Sequence, residues 1–327
     1  MSIPAQSANP PPRLTIGLPV FNGEAYLEET LQALLRQTYP EFALLVGDNA
    51  STDRTQEIAR DFATSDSRIR YVRNERNLGL AANYNALFDR ATSELFKWAP
   101  ADDTYEPRYL ERCIAALDED ERAVLAYCRA RFIDAAGQPL EIEDPGWDLR
   151  QESAADRFLY AVYAEHWVNS IIGVIRRKAL AETRLMPRYP GGDFVLLGEL
   201  SLHGTFLEVP EPFFFRRIHP KASSQIRLDP DRIRQHVSGP DRKPSWPRGQ
   251  RTFGHLATIV SSRRLDWRTR ARLLRGLARA SAHRLPEMGR ELATMLRWSS
   301  GAGKLPMRSA ARDLPRRRED GAGRSLR

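Results

Sequence analysis

The chain has 327 residues, 42% of them hydrophobic and 9% aromatic, which is enough apolar material for a packed core and excludes a disordered polymer. No apolar run reaches the roughly eighteen residues of a spanning helix, and residues 1–13 lack the basic and apolar regions of a secretory leader, so a cytoplasmic protein, at most peripheral to the membrane, is expected. Cys113 and Cys128 are too few for a disulfide framework and lack metal-ligand spacing; both are expected as core thiols of a reduced protein.

The net charge of +8 is uneven. Residues 251–327 hold 19 Lys and Arg against 6 Asp and Glu, a net of +13, and the remaining 250 residues hold 31 against 36, a net of −5. A basic appendage on a mildly acidic body suits solubility or attraction to anionic lipid. It lacks the regularly interleaved aromatics of a nucleic-acid surface, so no nucleic-acid partner is expected.

Along the chain, residues 14–20 read as a buried strand, and Leu27, Leu31, Leu34 and Leu35 recur on one helical face. Residues 42–46 form a second strand, and Asp53 with Gln56 reads as a capping box opening a helix that buries Ile58 and Phe62. A third strand follows at 69–72, a helix around Tyr84, Leu87 and Phe88, and a fourth strand at 95–98, beyond which Asp102 and Asp103 precede a Pro-started helix. Alternating strands and helices predict a mostly parallel sheet with helices on both faces. Ligands of such sheets bind outside the carboxyl ends of the strands. Asp48, Asn49, Asn74, Asn77, Asp102 and Asp103 all fall there.

Past Arg122 the pattern changes to a strand at 124–132, an irregular stretch around Pro145, a helix near 153–163, an apolar segment at 171–175, a helix opened by Asp193, and strands at 205–209 and 213–218. Residues 226–298 suggest basic helices, and the sequence predicts disorder at 1–12 and 299–327. The expected division is a half at 13–122 whose strand ends bind a ligand, a half at 123–225 that shapes a second substrate's pocket, and a helical extension.

Six motifs in register carry a family resemblance: residues 16–23 (IGLPVFNG), 26–31 (YLEETL), 37–40 (QTYP), 46–53 (VGDNASTD), Asn74 with 77–79 (NLG), and Asp102-Asp103 ahead of Pro107. Over residues 13–222 the chain resembles the family 2 glycosyltransferases, which have the Rossmann-like GT-A fold. The resemblance implies inverting transfer of a single sugar from a nucleotide-diphosphate sugar to a hydroxyl of a lipid-linked, polysaccharide or secondary-metabolite acceptor, with Mg2+ or Mn2+ as cofactor. It places Pro19, Phe21, Asn22, Asp48, Asn49, Asn77 and Asp102 at the donor nucleotide and Asp103 with His219 at the metal. Such hard ions take carboxylate, phosphate and water oxygens. Asp53 is expected only to cap its helix.

The resemblance further implies that an acid at a helix start takes the acceptor's proton, which selects Asp193, with Glu199 as rival; Gly191-Gly192-Asp193 also fits a simple N-cap. Arg216 and Arg217 are phosphate candidates, of which strand alternation sends one inward. His166 and Trp167 are placed for stacking against acceptor or sugar. Two departures stand out: Pro100 occupies the place of the first Asp of many relatives' metal motif, and Asn49 that of a second Asp. Arg297-Trp298 is similar to a processive-synthase signature, but Thr294 stands where its Gln is required, which favours single transfer. A nucleotidyltransferase is the alternative enzyme, although residues 19–22 offer neither a Gly-rich nor a basic triphosphate loop. A GT-A-fold binding protein without catalysis is the other.

Overall fold

The computed structural model describes residues 12–144, 146–163, 169–222, 236, 237, 239, 246–282 and 284–299. The expected N-terminal and C-terminal disorder, His166 and Trp167, and the side chains of Thr294, Arg297 and Trp298 lie outside the described residues.

The N-terminal strands are β1 (Leu14–Val20), β2 (Phe42–Asp48), β3 (Ile69–Arg73) and β4 (Leu95–Trp98), linked by helices α1 (Leu27–Leu35), α2 (Thr55–Ser65) and α3 (Leu80–Asp89). Every residue of β1 and β4 is buried, as the near-continuous apolar runs of a doubly covered parallel sheet require. Then come β5 (Thr104–Tyr105), α4 (Tyr109–Glu119), β6 (Ala123–Ile133), β7 (Pro139–Leu140), α5 (Ala154–Tyr163), a 3-10 turn (Asn169–Ile172), β8 (Val174–Arg176), α6 (Arg177–Ala181), α7 (Gly192–Leu200) and β9 (Thr205–Arg217). Helices α8 (Pro247–Ser261), α9 (Trp267–Ala282) and α10 (Leu285–Ser299) follow.

The strands join in one sheet of order β3-β2-β1-β4-β8-β6-β9-β5, with β7 beside β6. Its first half is parallel: β2 and β4 flank β1, and β3 extends β2. The second half is mixed, because β8 runs antiparallel to both β4 and β6, while β9 runs parallel to β6 and antiparallel to β5. Alternation of strand and helix sufficed to predict the first half; the antiparallel pairings join segments far apart in sequence and leave no local period.

The apolar segment at 171–175 is a 3-10 turn running into β8. Three local expectations are corrected. The segments at 205–209 and 213–218 are one strand, β9, carried past Pro210 and Pro212 with a register shift against β6. Asp53 and Gln56 form no capping box: α2 starts after Arg54, and Asp53 Oδ1 instead accepts from Thr55 N at 3.0 Å while Oδ2 accepts from Glu24 N at 3.1 Å. Finally, Asp102-Asp103 does not lead directly into a helix, since β5 intervenes and α4 opens only at Tyr109.

Three apolar clusters hold the fold. One packs α1, α2 and α4 on one sheet face, and the second packs α3 and α7 on the other, around Phe96 and Trp98. The third joins Phe158 of α5 with Ile259 of α8 and Leu273, Leu277 and Ala280 of α9. The C-terminal helices are thus mortared to the body: α8 also packs on α7, and Arg251 of α8 stacks on the Phe194 ring of α7 at 5.0 Å. Among the described residues no helix is long and apolar enough to cross a membrane. Leu273 is fully buried, so Leu273→Ala should cost about 2–5 kcal/mol in urea unfolding monitored by circular dichroism, in a single transition shared with the sheet.

Candidate active site

The carboxyl ends of β1, β2, β3 and β4 share one edge, and the topology turns there, with β1 between β2 and β4. The loops leaving that edge are stitched together by short polar bonds. Asn22 N donates to Ser51 Oγ at 2.9 Å, Thr52 N donates to Asn22 Oδ1 at 2.8 Å, and Gly23 N donates to Thr55 Oγ1 at 2.8 Å. Asn22 and Ala50 hold positive φ of 52° and 65°, conformations that this network must sustain because a β-carbon disfavours them.

Asp48 and Asn49 are buried and committed within the protein. The Asp48 carboxylate accepts from Ser51 N at 2.8 Å, from Tyr71 Oη at 2.7 Å and from Arg73. Burial first, and this bond to Asp48 second, push the Tyr71 phenol up to about 12. Asn49 Nδ2 donates to Asn77 Oδ1 at 2.8 Å, and Asn49 Oδ1 accepts from Asn74 Nδ2 at 3.0 Å and Leu78 N at 2.9 Å. Asn77 Oδ1 also receives Gly79 N, and Asn83 Nδ2 reaches Gly47 O at 2.7 Å. These amides tie the loops after β2 and β3 together at this edge. Of the donor-side residues predicted at the end of β1, Pro19 is buried in the strand, Asn22 ties loops, and Phe21 presents an open ring, 45% exposed.

The acids come next to the end of β9. Thr104 and Tyr105 pair with Phe215 and Phe214, which sets Asp102 and Asp103 beside Arg216, Arg217 and His219. Asp103 Oδ1 accepts from Arg217 N at 2.8 Å, and Asp103 O accepts from Thr30 Oγ1 at 2.8 Å. Asp102 Oδ2 lies 3.0 Å from His219 Nε2. The His219 ring packs on Tyr26 at 4.8 Å. Strand alternation separates the two arginines as expected. Arg217 is buried, donating to Asp102 O at 3.0 Å and to Glu29 Oε2 at 2.6 Å, with its guanidinium 4.6 Å from the Tyr26 ring centre. Arg216 stays on the crevice side, bonded to Asn169 Oδ1 at 2.5 Å and close enough to oppose the charge of Asp103.

Burial first, then the adjacent charge of Asp102, hold the Asp103 carboxyl far above the usual carboxylate range. A buried carboxyl in that state is one that a cation would ionise. Among the described residues no group of three or more His, Cys, Asp or Glu side chains is arranged to hold a metal ion. Asp103, with one neighbour at most, fits Mg2+ or Mn2+ only where diphosphate and water oxygens supply the other ligands.

Asp193 lies in the first turn of α7, behind Gly191, whose φ of 83° makes glycine the natural N-cap residue. Asp193 is therefore not the cap. The buried Tyr84 places it relative to the other acids: burial, then Asp102, Asp103 and Asp193, raise the phenol well above its ordinary value, with Arg216 opposing. Asp193 thus shares one electrostatic neighbourhood with the acid pair. Glu199 does not face it, because its carboxylate is bound to Arg184 at 3.1 Å, and Arg184 in turn donates to Gly254 O at 3.0 Å and to Thr258 on α8.

A family model described as glycosyl transferase family 2 matches residues 15–178. The chain belongs to that family. EpsE of Bacillus subtilis (strain 168), named as a glycosyltransferase, is 34% identical over 112 residues, 34% of this chain and 40% of EpsE, so the match spans less than half of that relative's length. TarS 1-349 of S. aureus in complex with UDP-GlcNAc superposes with a TM-score of 0.64 at 15% identity over 87% of this chain and 81% of that one. The mannosyltransferase PcManGT from Pyrobaculum calidifontis, in complex with GDP-Man and Mn2+, gives 0.52 at 18% identity over 88% and 81%. At these identities the structures establish the GT-A fold. Asp193 and His219 lie beyond the matched family region, on elements that the fold alone brings back to the acid pair.

Sequence reasoning overlooked several side chains of this family 2 chain near the acid pair. Glu29 and Tyr84 lie on helical faces that read as ordinary amphipathic patterning, and Tyr26 is the residue just before α1. His236 sits close enough for Asp102 to oppose the effect of burial on its imidazole. Gly239 packs on the Leu78–Gly79 backbone, so the chain returns over the crevice there. Lys97 is the largest omission, although a charged residue in a four-residue apolar strand was a visible signal. It is fully buried, its Nζ donates to Trp98 O at 3.2 Å and to Ile172 O, and it lies 4.5 and 4.6 Å from the Tyr105 and Tyr109 ring centres. Cys113 and Cys128 are free and buried as expected, with their Sγ atoms 3.7 Å apart.

Burial holds the Lys97 ammonium down to about 7 from 10.5. The unfolded chain therefore binds the extra proton between those values, and stability contributed by this group rises with pH across that window. In urea melts between about pH 7 and pH 10, wild type should gain stability relative to Lys97→Met by at most about 1.4 kcal/mol per pH unit. A flat difference would show that Lys97 titrates normally.

Proposed function

We propose that the chain transfers one sugar, with inversion, from a nucleotide-diphosphate sugar to an acceptor hydroxyl, using Mg2+ or Mn2+. The observation that carries this reading is the convergence of Asp102, Asp103, His219 and Asp193 on one edge of the sheet, drawn from three separate segments of the chain. The nucleotide-sugar complexes of TarS and PcManGT support the donor class, and the Mn2+ of PcManGT supports the ion.

In this reading the exposed Phe21 ring stacks on the base, while Asp48, Asn49 and Asn77 hold the loops that frame the nucleotide. Asp103 and His219 would hold the cation, Asp102 orients His219 or meets the ribose, and Arg216 lies near for a phosphate oxygen. The ion, when bound, neutralises charge developing on the departing diphosphate. The acceptor oxygen attacks the anomeric carbon from the face opposite the diphosphate, and Asp193 takes its proton. The bond from the anomeric carbon to the phosphate oxygen breaks with its electron pair leaving on the diphosphate, and the configuration inverts. The acceptor is a lipid-linked, polysaccharide or secondary-metabolite hydroxyl, reached with the basic C-terminal region in peripheral contact with anionic membrane.

Four measurements test this. A thermal-shift panel of UDP-, GDP- and dTDP-sugars with and without Mn2+ should give one donor class that stabilises the chain only with the ion. Asp103→Ala should abolish that ion-dependent shift, and an undiminished shift would remove Asp103 from the metal site. Asp193→Asn should keep donor binding and lower transfer by about 10² to 10⁴. Glu199→Gln should instead lower the melting temperature with transfer per folded molecule retained; the reverse pattern would move the base to Glu199.

A further inference from the structure

Helix α9 carries two parallel stripes on its outer side. Its inner side buries Leu273, Gly276, Leu277 and Ala280 against the third apolar cluster. Opposite these, Trp267, Ala271, Leu274 and Ala278 recur at i, i+4, i+7 and i+11 and form one apolar strip. Arg268, Arg272, Arg275 and Arg279 repeat the same spacing one residue later, so they form a cationic row about 100° around the helix from it. Trp267 is 73% exposed and Leu274 37%.

The surface is cationic beyond what internal pairing needs. Residues 263–282 hold seven arginines and a single acid, Asp266, a net of +6. Asp266 is spent on the helix start, where Oδ1 accepts from Thr269 N at 2.7 Å. Arg272 pairs with Asp156 and Arg264 with Glu182, but Arg268, Arg275 and Arg279 make no ion pair among the described residues. A nucleic-acid backbone would satisfy the arginines and leave the apolar strip bare. A lipid surface satisfies both.

We infer that α9 docks in the plane of an anionic bilayer surface, with the Trp267 strip at the acyl boundary and the arginine row among the lipid phosphates. The inference rests on the peripheral contact proposed above and narrows it from the basic C-terminal region as a whole to one helix face.

The test uses the full chain with extruded vesicles of phosphatidylcholine, with and without phosphatidylglycerol, sedimented at about 0.1 M salt, where the screening length is still about 10 Å. Wild type should partition onto the phosphatidylglycerol vesicles and not onto phosphatidylcholine alone. Arg268→Glu with Arg275→Glu should lower the partition coefficient at least about tenfold, and Trp267→Ala several-fold, with unchanged thermal unfolding. A chain ending at residue 299 should bind within about twofold of wild type. Wild type that ignores anionic vesicles overturns both the contact and its placement. Binding that survives the α9 variants but is lost with residues 300–327 overturns the placement on α9 alone, and duplex DNA displacing vesicles at equal phosphate overturns the lipid assignment.

Discussion

Two residues of β5, Thr104 and Tyr105, pairing with Phe215 and Phe214 of β9, are what make a site of otherwise scattered acids. Without that short antiparallel ladder, Asp102 and Asp103 would be a turn at the end of β4 and His219 the end of a distant strand. The pairing is reinforced on both sides. Arg217 N donates to Asp103, the Arg217 guanidinium grips Asp102 O and Glu29, and Tyr26 packs against both Arg217 and His219. A charged site assembled from non-local pieces needs this kind of redundancy, because each buried acid by itself opposes folding.

The loops after β2 and β3 are built on a different plan. Beside the buried Asp48–Arg73 ion pair, neutral amides are bonded to one another and to the backbone, so that Asn49, Asn74, Asn77 and Asn83 tie these loops into one unit. The substitution of Asn at position 49, a departure from many relatives when seen only in sequence, is intelligible here: an amide can donate to Asn77 and accept from Asn74 and Leu78 at once, which a carboxylate cannot do.

What was legible in the sequence was local. The first four strands and their helices announced themselves through apolar runs and helical spacing, and the strand-end acids and amides followed from them. The motifs carried Asp102-Asp103 and His219 as a pair that only the β5 and β9 pairing explains. Illegible were relations between distant segments: the mixed half of the sheet, the continuity of β9 through two prolines, and the binding of Glu199 to Arg184, which separates it from Asp193. Asp53 misled because a capping signature and an Asx turn use the same residue two positions apart. Lys97 escaped because its meaning lies in Tyr105 and Tyr109, which no spacing rule connects to it.

The stacking of the C-terminal helices sets a ruler. Asp193 stands on α7, α5 and α8 pack on α7, and α9 packs on α5 and α8 with its striped face turned away. Two helix packings of 8–10 Å each put at most roughly 20 Å between α9 and the helix that carries Asp193. With α9 on a bilayer as proposed, the acid pair would stand off the headgroups by up to that distance, which would favour acceptors lifted from the membrane by several units of chain.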